Sequence, residues 1–158
     1  MLNDNIIFSL KQELQETLDH ARHLLRRTYP LVQEQKLFLS VFQLLVKFYE
    51  LFEKYLFELL KKEGMAPKQE VNKVILQRLL LSKEEFLKKQ MGLNFELTTL
   101  FTQKSLLQEL LEAQKTGPAD FARKKDYIIC EKNYKVRVIS ESSALQILQV
   151  AEKIGRNL

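Results

Sequence analysis

The segment from Gln33 to Glu63, "QEQKLFLSVFQLLVKFYELFEKYLFELLKKE", constrains this chain more than any other part of it. Leu37, Val41, Leu44, Leu45, Phe48, Phe52, Tyr55, Leu56 and Leu59 recur at three-four spacing and share one helix face. Phe38, Phe42, Tyr49 and Phe57 add apolar surface around the other sides. A helix that is apolar on several sides has to be covered on several sides, so this one is expected at the centre of a helical fold. Lys61 and Lys62 suit the negative end of its dipole, and Gly64 can take the left-handed conformation that ends it.

Other segments supply the cover. Asn3 or Asp4 can cap a first helix that runs to about Arg27, with Ile7, Leu10, Leu14, Thr17, Ala21, Leu24 and Thr28 on its packing face. Pro30 in "TYPL" is expected to break it, because proline lacks an N–H and pushes Tyr29 away from α geometry. Pro67 opens a third helix with Val71, Ile75, Leu79, Ser82 and Phe86 along one side. "SKEE" at Ser82 to Glu85 resembles a capping box, but the unbroken stripe argues for continuation or a slight kink. After the break at "QMGLN", a fourth helix from about Asn94 to Lys115 uses Leu97, Leu100, Phe101, Leu107 and Leu111. Short connections at 28–32, 64–67 and 91–94 require antiparallel neighbours.

The text then changes. In "DYIICEKNYKVRVIS" β-branched and aromatic residues displace leucine, which predicts a β-hairpin over 126–139. Ser140 caps a last helix through Ala144, Leu145, Leu148, Ala151 and Ile154. The expected fold is mostly α, an antiparallel four-helix core followed by a hairpin and a final helix. Residues 1–158 read as one helical domain, with 1–117 the bundle and 118–158 the hairpin plus C-terminal helix. Four glycines and three prolines are few enough to agree. A single cysteine, Cys130, excludes an intramolecular disulfide and fits a reducing cytosol. No secretion leader and no membrane span is expected, so the predicted location is cytoplasmic.

Chemistry is harder to find. Both histidines lie in "ETLDHARHLLRRTYP", where Glu13, Glu16, His20, His23 and Arg27 form a polar stripe within an arc of about 80°. Such a stripe beside the apolar face reads as a solvated flank. Glu16, His20 and His23 have the spacing for one metal ion, but a di-metal helical site needs a second histidine-bearing helix, and the chain has none. Arg22, Arg26 and Arg27 make the same segment basic enough for phosphate contacts. HEPN-family RNases carry an arginine followed a few residues later by a histidine. Here Arg22 directly precedes His23 and no histidine follows, so a HEPN-like scaffold would be inactive. No Gly-rich phosphate loop occurs. Cys130, between apolar strand residues, reads as an inert thiol.

In the hairpin, Lys135 and Arg137 alternate with Tyr134, Val136 and Val138, placing the basic residues on one face. With Lys124, Lys125 and Lys132 nearby, and Tyr127 or Tyr134 available for stacking, this is the best candidate for binding RNA or DNA. Charged residues that protect a sheet edge would look the same. The net charge of +5 favours neither strongly.

"TYPLVQEQKLFLSVFQLL" and "DYIICEKNYKVRVIS" resemble segments of small archaeal helical proteins without a characterised activity, in which a pair of long helices is followed by a short hairpin and a final helix. The resemblance covers about a quarter of the chain and implies a cytosolic archaeal protein. Those relatives have a proline just before the second helix where this chain has Gln35. The expectation is therefore a non-catalytic interaction or scaffold module with a protein partner or a second copy of itself, the homodimer being suggested by aromatics on several sides of the second helix. Nucleic-acid binding through the basic hairpin is the alternative, an enzyme built on His20 and His23 the less favoured one, and no cofactor or metal is expected.

Overall fold

The computed structural model describes residues 2–158. Six helices and a small three-stranded antiparallel sheet make a mostly helical fold.

Helix α1 spans residues 2–32 and does not break at Pro30. Its α-helical part Leu2–His23 opens into a π-helical turn, Leu24–Thr28, and closes with an α turn, Tyr29–Val32. Pro30 has no N–H to give, and its ring would crowd the carbonyl of Arg26 in a regular α turn. The wider turn removes that conflict: the N–H of Tyr29 reaches back five residues to the carbonyl of Leu24. The helix ends at Gln33, whose φ is 49° and whose N–H donates to the Tyr29 carbonyl at 2.7 Å.

Helix α2, Leu37–Lys62, is the central element. Phe38, Phe42, Phe48, Tyr49 and Phe52 are wholly buried, and Phe57 nearly so. Helix α1 packs most extensively against it. Helix α5, Leu97–Thr116, covers a second side, and smaller contacts come from α3 and from α6, Glu141–Gly155. The chain thus covers its own aromatics, and the reason for expecting a second copy there falls away.

The expected single third helix is two short ones, α3 (Lys73–Ser82) and α4 (Glu84–Met91), meeting at Lys83. Pro67 does not start α3. The cap is Asn72, whose side chain accepts the Ile75 N–H at 2.9 Å. Ser82 does not cap α4, because its hydroxyl donates to the Leu79 carbonyl at 2.7 Å. The buried residues are Leu80 and Leu87, while Ile75 is exposed. "VILQRLLL" is apolar on every side, so its spacing does not choose a face.

Strands β1 (Ala119–Arg123), β2 (Asp126–Cys130) and β3 (Val136–Ile139) form the sheet in that order, so the expected two-stranded hairpin has a third strand. Ser140 and Ser143 make a reciprocal capping box at the start of α6. Tyr127, Ile129 and Ile139 turn one face of the sheet into the common core. Gly117 sets the approach of α5 to the sheet: a Cβ there would overlap the backbone carbonyl oxygens of Cys130 and Ala113.

One charge pair is sealed inside. Lys104 of α5 donates to Glu53 of α2 at 2.7 Å, and both are buried. Removing one partner strands the other in a poorly solvated place, whereas removing both removes the cost together. Lys104→Met alone should therefore lower unfolding free energy by about 3–5 kcal/mol in urea melts, and Glu53→Leu should restore most of it in the double variant. A double variant as unstable as the single one would contradict this. Gly117→Ala should cost about 2 kcal/mol in the same measurement, since both clashing atoms are backbone.

Candidate functional site

The sheet has a second face that no described helix covers. Pairing sets Phe121, Ile128 and Val138 side by side across the three strands, with Ala119, Cys130 and Val136 in the next row. Because strand residues alternate, this face is opposite the one that carries Tyr127, Ile129 and Ile139 into the core. Phe121 is 46%, Val136 58% and Val138 56% exposed. Only Ile128, flanked by Phe121 and Val138, is buried on this side.

This reverses the expected polarity of β3. The alternation in "YKVRVI" suggested basic residues outward and apolar ones inward. Instead the two valines face solvent, and Arg137 sits on the core side beside Ile129, its Nε donating to Glu131 at 2.9 Å. Ile139 decides the phase: it is the apolar residue that reaches the core, and its parity carries Arg137 with it.

The candidate nucleic-acid residues divide accordingly. Tyr127 is 3% exposed and its hydroxyl donates to Asp120, so it offers no stacking surface. Burial first, and then that bond, push its phenol above the usual range. Arg137 is already paired. Lys124, Lys125, Lys132 and Lys135 are exposed, and Tyr134 is 84% exposed.

These residues gather at the two ends of the open face. At one end Lys124 and Lys125 form a two-residue turn between the paired Arg123 and Asp126. Lys124 has φ 57°, a conformation that glycine takes without cost. Its carbonyl accepts the Gln35 side chain at 2.7 Å, pinning the turn to the corner between α1 and α2. At the other end the Glu131 N–H donates to Lys135 at 2.8 Å, closing a loop that raises Lys132 and Tyr134. Tyr134 has φ 62°, strained for a bulky residue by about 1–2 kcal/mol.

The histidine stripe has a different character. His20 and His23 are exposed, and the His23 Nδ1 lies 3.4 Å from the hydroxyl of Thr28 on the same helix. Glu13 approaches Lys47 at 3.6 Å, while Glu16 and Arg27 are exposed. Lys47 of α2 thus reaches Glu13, but no ion pair or hydrogen bond from another described helix joins the two imidazoles. Among the described residues no cluster of three His, Cys, Asp or Glu side chains has metal-binding geometry, and no helix is long and apolar enough to cross a membrane. The neighbouring arginines do find partners: Arg22 and Arg26 both donate to Glu152 of α6.

Replacing both His20 and His23 by alanine should change unfolding free energy by no more than about 0.5 kcal/mol, as expected for surface positions. A loss several times larger would show that the imidazoles hold something in place. No family model, no curated protein and no solved structure matches this chain.

Proposed function

We propose that the chain is a non-catalytic interaction module whose contact surface is the open face of the sheet, and that its partner is a protein segment with an apolar centre and acidic flanks. The observation that carries this reading is the apolar row Phe121–Ile128–Val138, with Val136 beside it, in which Phe121, Val136 and Val138 are open to solvent. A sheet face meant only for water carries polar residues at alternate positions. Burying a valine fully contributes about 1.5–3 kcal/mol, a gain that Val136 and Val138 largely forgo until something covers them. On this reading residues 1–117 are the scaffold, an antiparallel four-helix core whose third member is split at Lys83, and residues 118–158 present the surface.

Charge selects among occupants. Arg123, Lys124 and Lys125 stand at one end of the face, Lys132 and Lys135 at the other, all exposed. In aligned face-to-face packing, parallel or antiparallel, a basic end of one copy meets a basic end of the other, which opposes self-association through this face. Single-stranded nucleic acid would satisfy the lysines but needs flat π surfaces for its bases. Phe121 and Tyr134 are the aromatics left for that, and the valines supply none. A protein segment with leucine-like side chains and flanking carboxylates fits both the apolar centre and the rim.

Selection of a displayed library of random peptides on the immobilised full chain tests this. Enriched peptides should combine aliphatic or aromatic residues with Asp or Glu, and should shield Cys130, which lies on the open face, from a thiol reagent. Val136→Lys with Val138→Lys should weaken them roughly tenfold or more while the circular dichroism spectrum is retained. Enrichment without acidic residues, or affinity indifferent to the double substitution, would overturn the reading. So would a dimer in sedimentation that the same substitution dissolves, or an oligouridine RNA that alone protects Cys130.

A further inference from the structure

A second feature, independent of the sheet, lies between α1 and α6. Glu152, only 12% exposed, accepts Arg22 Nε at 2.8 Å and both Nη atoms of Arg26, at 2.8 and 2.5 Å. Asp19 takes the Nη1 of Arg22 at 2.5 Å. The bond to Glu152 raises the Arg22 pKa further above its already high value. These contacts occupy both Glu152 oxygens but use only part of the five N–H donors of each guanidinium. They also hold the two forks in fixed positions, so ligand binding need not order them.

Two clefts adjoin this knot. One, of about 360 Å³, is lined by Arg26, Glu152, Lys153 and Arg156. The other, of about 470 Å³, is lined by Asp19, Arg22, Glu152 and Arg156. They share Glu152 and Arg156, so a ligand lying across both meets four cations against two carboxylates whose charge the arginines already engage. Neither Lys153 nor Arg156 is matched by either carboxylate, which leaves a surplus of positive charge. Planar guanidinium forks with a flanking ammonium suit phosphoryl oxygens. A lone phosphate occupies a fraction of one cleft, whereas a chain of phosphates can reach both.

We propose that the α1–α6 clefts bind a small molecule bearing two or more linked phosphate groups. Calorimetric titration of the full chain with tripolyphosphate at fixed ionic strength tests it. One tripolyphosphate should bind per chain, at least roughly tenfold more tightly than orthophosphate. Lys153→Ala with Arg156→Ala should weaken binding by a similar factor. Lys54→Ala with Lys68→Ala, which removes the same charge from exposed positions elsewhere, should bind as the unaltered chain does. Equal losses in the two variants would reduce the effect to net charge, equal affinity for orthophosphate would remove the two-cleft argument, and the absence of saturable heat would end the proposal.

Discussion

Five wholly buried aromatic rings on one helix set the conditions that the other elements meet. Phe38, Phe42, Phe48, Tyr49 and Phe52 are wholly buried along α2, while Gln43, Lys47 and Lys54 keep one side of it in water. A helix beside it covers only one side, so cover has to come from several parts of the chain. The contacts reflect this: Tyr29, from the end of α1, packs its ring 4.8 Å from that of Phe38, and Phe95, from the loop before α5, meets the ring of Phe52 edge-on at 5.6 Å. Each such burial contributes about 1.5–3 kcal/mol. The Tyr49 hydroxyl has no partner, and burial raises its pKa well above the phenol range, so enclosing the ring there outweighs an unsatisfied polar atom that costs about 1–3 kcal/mol.

The same requirement explains the sheet. Its inner face closes the core beside α5 and α6, with Gly117 allowing the backbone of β2 to approach closely. Once Tyr127, Ile129 and Ile139 are committed inward, alternation leaves Phe121, Ile128 and Val138 on the outside whether or not a partner exists. The apolar outer face is thus the remainder of a segment that is apolar on both sides, and what separates an interaction surface from a liability is the cationic rim at each end.

How much was legible in the amino-acid order follows from how local each determinant is. Ser140 announces α6 because capping involves neighbouring residues, and α2 announces itself by its length and apolar density. Where two local rules conflict, tertiary packing decides. Pro30 argues for a break, but the packing of Leu25 and Tyr29 continues the helix and widens one turn instead. In α3 and β3 the apolar residues are compatible with more than one phase, so only the long-range neighbours choose between them. Strand β1 leaves no local signal, because "ADFAR" has one aromatic among residues that do not favour strands, and its structure comes from pairing with β2. The candidate surface was located by its basic residues, yet its apolar centre and the inward position of Tyr127 needed the register.

Arg22 and Glu152 are 130 residues apart in the chain, yet they fasten α1 to α6. At a synthesis rate of roughly 5–20 residues per second, α1 emerges on the order of ten seconds before the helix that completes its cover. During that interval α1 and α2 can pair, since their contacts are close in sequence, while the side of α1 around Leu18 that awaits α6 stays open. The α1–α2 pair therefore stays incompletely covered until Glu141–Gly155 has been made. A chain cut before Glu141 would lose that cover and leave the side of α1 around Leu18 open to water.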